Sequence, residues 1–331
     1  MDVSAGPDQT HDGNHDRDLA EDDNGSDSKE SNGWLCFNLK RPGLIWAVLA
    51  GLSQSVQVLL LAENAHNMNP LQTLFLRSCF ILVFVFFISW DESENYDSQD
   101  LALNILFGIL DVVGMSSFLI ATGFLPVSDA TAIVYNQPIP AIIFACIFLG
   151  ETFDRIDGVL VVVNAIGLVL VCKTSIANHA VSDKVSSVIG VFVAFFALLC
   201  VVSLKLTARK LAHKGRQDPS LITLTLGCTG LIMSTAYLAI TNSWDMPRTQ
   251  QDVLLSIVLG LVAIFHFYCF SKAVQTENII FISTAFTFPI PVTYCFDVIM
   301  NRTILSIITI IGVGLTMGST LVLYLKTIYA E

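Results

Sequence analysis

Two ionisable side chains of opposite charge fall inside long apolar runs of this 331-residue chain. Arg77 lies within LQTLFLRSCFILVFVFF, and Asp111 lies within LALNILFGILDVVGM. A charged group at membrane depth costs at least about 2.5 kcal/mol on insertion scales, so it indicates a functional site and calls for a partner. Two interpretations follow: Arg77 binds an anionic substrate, or Arg77 and Asp111 form a structural ion pair.

Uncharged polar side chains gather near two proline triplets in apolar surroundings. We select as candidate substrate contacts Tyr135, Asn136, Gln137, Gln54, Gln57 and Thr287. The first three directly precede Pro138-Ile139-Pro140, and the two glutamines lie three residues apart, on one face of a helix. Their hydroxyl and amide groups can bind a solute without the cost of a charge, although hydrogen bonding between helices is an alternative for each.

Other polar positions inside the apolar runs carry weaker signals. An unperturbed histidine titrates near physiological pH, so His266, in HFYCF, is assigned either to proton coupling or to a histidine satisfied within the helix bundle. Asp297 is expected to be hydrated near the end of its run. Gly314 and Gly318 have the four-residue spacing that suits close helix packing.

The composition is that of a membrane protein. Hydrophobic residues make up 53% of the chain and charged residues only 14%, with a mean hydropathy of +0.67, whereas soluble domains carry about 25% charged residues. The net charge of −11 comes mostly from residues 1–32, which hold ten acids and two bases. We predict that residues 1–40 form an acidic, disordered tail in the cytosol, because the tail has too little apolar surface to order itself.

Ten apolar runs have the length of about 20 residues that a helix needs to cross a bilayer. They lie near residues 44–62, 70–90, 101–122, 129–149, 156–172, 186–206, 220–241, 253–272, 279–300 and 304–325. With both termini in the cytosol, ten Lys and Arg residues flank the cytosolic ends, Lys205 among them, and four lie outside. The sequence leaves open whether the membrane is the plasma membrane or that of the endoplasmic reticulum or Golgi.

The two proline triplets indicate an internal repeat. Pro138-Ile139-Pro140 and Pro289-Ile290-Pro291 lie 151 residues apart, and a shift of that length lays spans one to five onto spans six to ten. Five spans is an odd number, so the second copy enters the membrane from the opposite face, as in many secondary transporters. We therefore predict two inverted five-helix repeats over residues 44–172 and 186–325, followed by a short cytosolic C-terminus, 326–331.

The prolines interrupt spans four and nine at matching positions. Proline removes a helical hydrogen bond, so four carbonyl groups are expected to lose helical partners, those of Val134, Asn136, Ala285 and Thr287. In a membrane such groups need protein or water as partners. The kinks at Pro138, Pro140, Pro289 and Pro291 are thus expected either to line a hydrated path or to be satisfied by neighbouring helices.

Three stretches resemble a known family. They are LFLRSCF (74–80), LPVSDATAIVYNQPIPAIIFACIFLGE (125–151) and AVQTENIIFISTAFTFPIPV (273–292). The chain resembles the drug/metabolite transporter superfamily of the EamA type, and within it solute carrier family 35, subgroup G. Arg77 and Leu149-Gly150-Glu151 match features of the family repeat, whereas the second copy has Cys228 and Met300-Asn301-Arg302 at those positions. The resemblance implies ten helices, inverted repeats, alternating access and small organic solutes.

The sequence lacks the motifs typical of several catalytic, nucleotide-binding and metal-binding sites. The sequence has no G-x-x-x-x-G-K-[ST], G-x-S-x-G or H-E-x-x-H pattern and no C-x-x-C spacing, so we expect neither an enzyme nor an ATP-driven pump, and no cofactor, metal or disulfide. The predicted fold class is an all-α membrane protein with ten transmembrane helices in two inverted five-helix EamA repeats. The predicted partners are a small-molecule substrate and the lipid bilayer; no nucleic acid is expected, and a homodimer stays open.

The predicted function is secondary-active transport of a small organic metabolite by alternating access. An organic anion or a neutral metabolite is favoured over a highly charged solute, because the spans carry few cations. Two alternatives are a nucleotide-sugar antiporter of the same fold and a non-transporting membrane interaction protein whose acidic tail binds regulatory partners.

Overall fold

The structure, a computed structural model, describes residues 42–88, 98–149, 155–177, 184–213, 219–244, 249–277, 279–300 and 306–329. Their regular structure is entirely helical. The helices in these ranges are α1 (Pro42–Asn67), α2 (Pro70–Ile88), α3 (Ser98–Thr122), α4 (Val127–Val134), α5 (Pro138–Leu149), α6 (Arg155–Ala177), α7 (Lys184–His213), α8 (Pro219–Thr241), α9 (Gln250–Thr276), α10 (Ile279–Ala285), α11 (Pro289–Met300) and α12 (Ile307–Tyr329). The predicted acidic tail, 1–40, lies outside the described residues.

Several of the described helices have the length and composition of membrane spans. Five described segments are long and apolar enough to cross a bilayer: Asp100–Thr122, Val185–Ala212, Pro219–Thr241, Gln250–Thr276 and Ile282–Ile299. Shorter apolar stretches lie in α1, α2, α6 and α12. Together with the α4–α5 pair, these segments fall on the ten predicted spans, and the chain is an integral membrane protein.

Spans four and nine are interrupted where the proline triplets predict. The first break, Tyr135–Gln137, separates α4 from α5, and the second, Phe286–Phe288, separates α10 from α11. Pro138 and Pro289 each occupy the first position of a helix, where a missing N–H is not needed and a fixed φ favours helix initiation. The prolines therefore start new helices rather than bend continuous ones.

The expectation of unpaired carbonyl groups is wrong for the second break. The carbonyl of Ala285 accepts a hydrogen bond from the N–H of Phe288 at 3.3 Å, and that of Thr287 accepts one from Ile290 at 3.0 Å. These bonds span three residues rather than four, so a tight turn satisfies the groups that the α-helix would otherwise leave free. At the start of each break the side chain is buried, since Tyr135 and Phe286 are each 3% exposed, whereas Phe288 at the end of the second break is 37% exposed.

Helix pairing follows a two-fold pattern. The helix α1 packs on α9 and α3 on α7, while α2 pairs with α8 and α6 with α12. At a shift of 151 residues, α1 corresponds to α7 and α3 to α9, so the α1–α9 pair is equivalent to the α7–α3 pair. The same shift relates α2 to α8 and α6 to α12, so each of these pairs joins two equivalent helices. This arrangement supports the proposal of two repeats.

Close helix packing involves other glycines than the predicted pair. A Cβ on Gly167 would lie 2.7 Å from the carbonyl oxygen of Gly312, and one on Gly312 would lie 2.9 Å from that of Gly167, so α6 and α12 touch through their backbones. Gly314 and Gly318 have no described neighbour within 4 Å of a built Cβ. The homodimer stays a prediction.

Candidate functional site

A small cavity with a few polar groups in a largely apolar lining, the central cavity, lies within the described bundle. Its walls come from α1, α3, α4, α7, α9 and the breaks after α4 and α10. The polar lining residues are Gln54, Asp111, Tyr135, Lys205 and His266, and the aromatic ones besides Tyr135 are Phe118, Phe267, Phe270 and Phe286. Its volume is about 40 Å³, which holds water but no organic solute. A solute could enter only if the helices around it moved apart.

The prediction that Lys205 flanks the membrane is wrong. Rather than flanking the membrane, it is 1% exposed, and its Nζ lies 3.6 Å from the centroid of the Phe286 ring. Nζ has no hydrogen-bond partner among the described residues. The physical reason is helix length: α7 continues to His213, eight residues or about 12 Å beyond Lys205. The missed signal was the repeat itself, which lays Lys205 onto the candidate Gln54.

Arg77 and Asp111 form an ion pair between α2 and α3. The Nη2 atom of Arg77 lies 3.5 Å from Oδ2 of Asp111, with the two side chains 4% and 13% exposed. The Arg77 guanidinium also lies over the Phe267 ring, 5.8 Å from its centroid. Asp111 lines the central cavity, but Arg77 is outside its lining. The geometry favours the structural ion pair over direct binding of a substrate by Arg77.

Gln54 and Tyr135 connect α1 to the first break. Nε2 of Gln54 donates a hydrogen bond of 2.6 Å to the Tyr135 hydroxyl oxygen. The Tyr135 ring packs edge-on against Phe118, with 6.1 Å between the ring centroids. Gln54 and Tyr135, both predicted as substrate contacts, therefore line the central cavity. Their mutual hydrogen bond and the packing of Tyr135 on Phe118 hold them in place.

His266 is hydrogen-bonded within the bundle. Its Nδ1 lies 3.0 Å from the carbonyl oxygen of Ala50 and 3.3 Å from Oγ of Ser53. A carbonyl oxygen only accepts, so Nδ1 carries a proton in this arrangement. The ring stacks on Phe270 with an angle of 11° between the planes. These contacts favour the satisfied histidine, and a role in proton coupling stays a prediction.

Four predicted contacts do not reach the central cavity. Gln57 and Gln137 are fully buried, and neither amide has a hydrogen-bond partner among the described residues. Asn136 faces a separate cavity between α5, α6 and α7. Thr287 faces another beside α12, and its hydroxyl donates to the carbonyl of Thr284. Residues directly before a kink thus point to different sides, because three consecutive side chains cannot share one face.

Polar contacts join α4 to α11 beside the central cavity. The hydroxyl of Tyr294 donates a 2.8 Å hydrogen bond to Oδ1 of Asp129, and the backbone N–H of Ser128 donates to Oδ2 of Asp297 at 3.2 Å. The expectation of a hydrated Asp297 is wrong, because the side chain is 5% exposed. Its carboxylate instead accepts from the first turn of α4, where N–H groups lack helical partners. These bonds hold one half of span four against one half of span nine.

Comparisons with known proteins agree with this architecture. Residues 41–173 match the model of the EamA-like transporter family. The pseudopaline exporter CntI of Pseudomonas aeruginosa is 22% identical over 74% of this chain and 82% of its own length. Solute carrier family 35 member G1 of Homo sapiens is 26% identical over 53% of this chain and 48% of its own. An S-adenosylmethionine uptake transporter of Rickettsia bellii is 24% identical over 66% and 71%, respectively.

A solved crystal structure of another protein shows the same fold. It superposes with a TM-score of 0.65 over 87% of this chain and 98% of that one, at 14% sequence identity, a likeness that concerns the fold alone. The relatives named above are transporters rather than enzymes. By the match over residues 41–173 and by these relatives, the chain is similar to the EamA-like transporters.

Proposed function

We propose that the chain is a secondary-active transporter of small organic anions, which bind in the central cavity beside Lys205. The observation that carries the proposal is the position of this lysine, buried in the bundle with no hydrogen-bond partner for Nζ among the described residues. A buried charge is unfavourable unless it is paired and hydrogen-bonded. A carboxylate of the substrate supplies both the opposite charge and the missing acceptors.

The charges around the cavity support a substrate with one negative charge. The guanidinium of Arg77 is offset by the carboxylate of Asp111 at 3.5 Å. Lys205 then contributes the uncompensated cation among the described lining residues. A nucleotide sugar carries more negative charge than one lysine neutralises, so a monocarboxylate or a similar anion fits better.

The remaining lining supports a substrate with an apolar body and a neutral polar end. Phe118, Phe267 and Phe270 supply aromatic surface, which favours apolar or planar groups. The Gln54–Tyr135 pair has further donor and acceptor capacity for a hydroxyl, carbonyl or amide group of the solute. The names of the exporter and the uptake transporter among the relatives support transport of a small metabolite.

The interrupted spans support the proposal of alternating access. Helix α4 packs on α11, and α5 packs on α10, so each half of span four meets one half of span nine. Opening the α4–α11 contact exposes the cavity on one side, and opening the α5–α10 contact exposes it on the other. Broken helices suit such motion because the hinge lies where helical hydrogen bonding is already interrupted.

Solute exchange in proteoliposomes tests the proposal. Purified protein is reconstituted, the vesicles are loaded with one unlabelled solute, and uptake of the same labelled solute is followed for monocarboxylates, neutral metabolites, organic cations and nucleotide sugars. We expect exchange of one or more monocarboxylates. Preferential exchange of nucleotide sugars would support the antiporter alternative. Vesicles inert toward the whole panel would contradict transport and favour the interaction protein.

A further inference from the structure

A second, larger cavity lies beside the first kink, between α5, α6 and α7. Its volume is about 760 Å³, against about 40 Å³ for the central cavity, and ligand pockets usually measure about 300–1,000 Å³. One wall is a continuous face of α6 made of Ala165, Leu168, Val169, Cys172 and Lys173. Their spacing of three and four residues places them in one row along the helix.

The cavity is apolar along its length and cationic at one end. Val169, in the α6 wall, is 64% exposed at the protein surface, so the cavity borders the hydrocarbon of the bilayer. Lys173 lies four residues before the end of α6 at Ala177 and about 12 Å along the helix from Ala165. A lysine near a helix end directs its ammonium group to the membrane interface while its stem stays in apolar surroundings.

We propose that this lateral cavity binds an anionic phospholipid of the surrounding bilayer, with its headgroup at Lys173 and an acyl chain along the α6 and α7 walls. Hydrocarbon matches walls that cannot hydrogen-bond to water, and the lysine favours a negative headgroup over a zwitterionic one. The ammonium group of Lys173 attracts an anionic headgroup through its charge.

The bound chain touches the back of the kink. Asn136 lines the inner end of the lateral cavity, is 2% exposed and has an Nδ2 without a hydrogen-bond partner among the described residues. The preceding residue, Tyr135, lines the central cavity. The break between α4 and α5 therefore separates the lipid from the central cavity, and occupancy of the lateral cavity restrains movement of this hinge.

A smaller cavity lies at the repeat-related position beside the second kink. It measures about 310 Å³ and is lined by Thr287 and Thr320, which follow Asn136 and Val169 by 151 residues. Its lining contains no lysine or arginine among the described residues. Selection for an anionic headgroup is accordingly expected at the larger cavity and not at the smaller one.

Photolabelling in vesicles tests the site. The full chain is reconstituted into phosphatidylcholine vesicles that contain a small share of phosphatidylglycerol or phosphatidylcholine with a diazirine in the acyl chain, and adducts are mapped by mass spectrometry. Adducts are expected on the α6 face around Leu168 and on α7 around Phe195. Ala165→Trp fills the cavity and is expected to remove them. Ile166→Trp is the matched control, because Ile166 is 52% exposed and outside the lining.

Headgroup selectivity is measured in the same vesicles. Labelling by the phosphatidylglycerol probe should exceed that by the phosphatidylcholine probe about five-fold, and Lys173→Gln should abolish the difference while Lys210→Gln, at an exposed position on α7, preserves it. Equal labelling of Ala165→Trp and Ile166→Trp would overturn the site, because labelling that does not depend on the cavity comes from lipid that merely surrounds the protein. Equal capture of both probes by the native chain would overturn the anionic headgroup.

Cysteine accessibility separates lipid from water. Cys172 lines the cavity, so an acyl chain there should keep a charged methanethiosulfonate reagent from reacting, because that reagent needs a hydrated thiolate. Rapid modification of Cys172 by the charged reagent would overturn the proposal, because it identifies a water-filled vestibule. A photoactivatable free fatty acid that competes fully with phosphatidylglycerol at equal concentration would also overturn it in favour of a carboxylate ligand.

Discussion

Gln54 in α1 and Lys205 in α7 lie 151 residues apart and line the same central cavity. Their contacts are related in the same way, since Gln54 bonds to Tyr135 and Lys205 lies over Phe286, and these two aromatic residues are also 151 residues apart. At equivalent positions, the first half thus carries the amide of Gln54 bonded to the hydroxyl of Tyr135, and the second half carries the ammonium of Lys205 over the ring of Phe286. Under the proposed function, this asymmetry lets the cavity distinguish the two ends of a substrate.

The Tyr135 hydroxyl is predicted to organise the neutral end of the cavity. Tyr135→Phe removes the acceptor for Gln54 Nε2, and a buried polar group without a partner costs about 1–3 kcal/mol. We expect a rise in KM for the transported anion, with folding retained in detergent. This KM is measured from the kinetics of solute exchange in proteoliposomes. Tyr237→Phe, at a position 45% exposed on α8, is the control, and equal KM values for the two variants would contradict the assignment.

The Arg77–Asp111 pair is predicted to be structural. Removing one partner leaves a buried charge, which destabilises proteins by about 3–5 kcal/mol, so Arg77→Met and Asp111→Leu should each lower Tm. The double variant should regain most of that loss, as a double-mutant cycle of thermal unfolding would show. It should also retain exchange of the organic anion. A stable double variant without exchange would instead assign substrate binding to Arg77.

Repeat-related glycines are predicted to respond differently to the same change. Gly167→Ala places a Cβ against the carbonyl of Gly312, so it should push α6 from α12 and lower Tm. Gly318→Ala meets no described neighbour within 4 Å and should gain helix propensity of up to about 1 kcal/mol. The Tm values of the two variants are compared by thermal unfolding. A larger fall in Tm for Gly318→Ala than for Gly167→Ala would contradict the packing.

The sequence could predict the membrane fold and the positions of the helix breaks, because hydrophobic length and proline chemistry act locally. The breaks before Pro138 and Pro289 are where the triplets place them. The candidate site was harder to predict, since the direction of a side chain at a break depends on turns that no periodicity describes. Asn136 and Tyr135 are neighbours in the chain but line different cavities. Lys205 was misassigned because an apolar run gives no sign of where a long helix leaves the membrane.

The α4–α11 contact is predicted to close one side of the cavity. Tyr294→Phe removes the 2.8 Å hydrogen bond to Asp129, so conformations open on that side should become more populated. A reporter cysteine at Val134, which lines the central cavity, measures this in a background without other cysteines. Its reaction with a charged thiol reagent should be several-fold faster in Tyr294→Phe than in Tyr237→Phe. Equal rates would show that this contact does not limit opening.

Binding of the substrate anion by Lys205 is the central claim, and exchange by Lys205→Gln tests it most directly. The variant is compared with Lys210→Gln, which removes an exposed lysine from the same helix, after both are shown to have unfolding temperatures like that of the native chain. We predict that Lys205→Gln lowers exchange of the organic anion about ten- to one hundred-fold, the effect of losing a charged hydrogen bond, while Lys210→Gln leaves it unchanged. Exchange at the native rate in a folded Lys205→Gln protein would contradict the account.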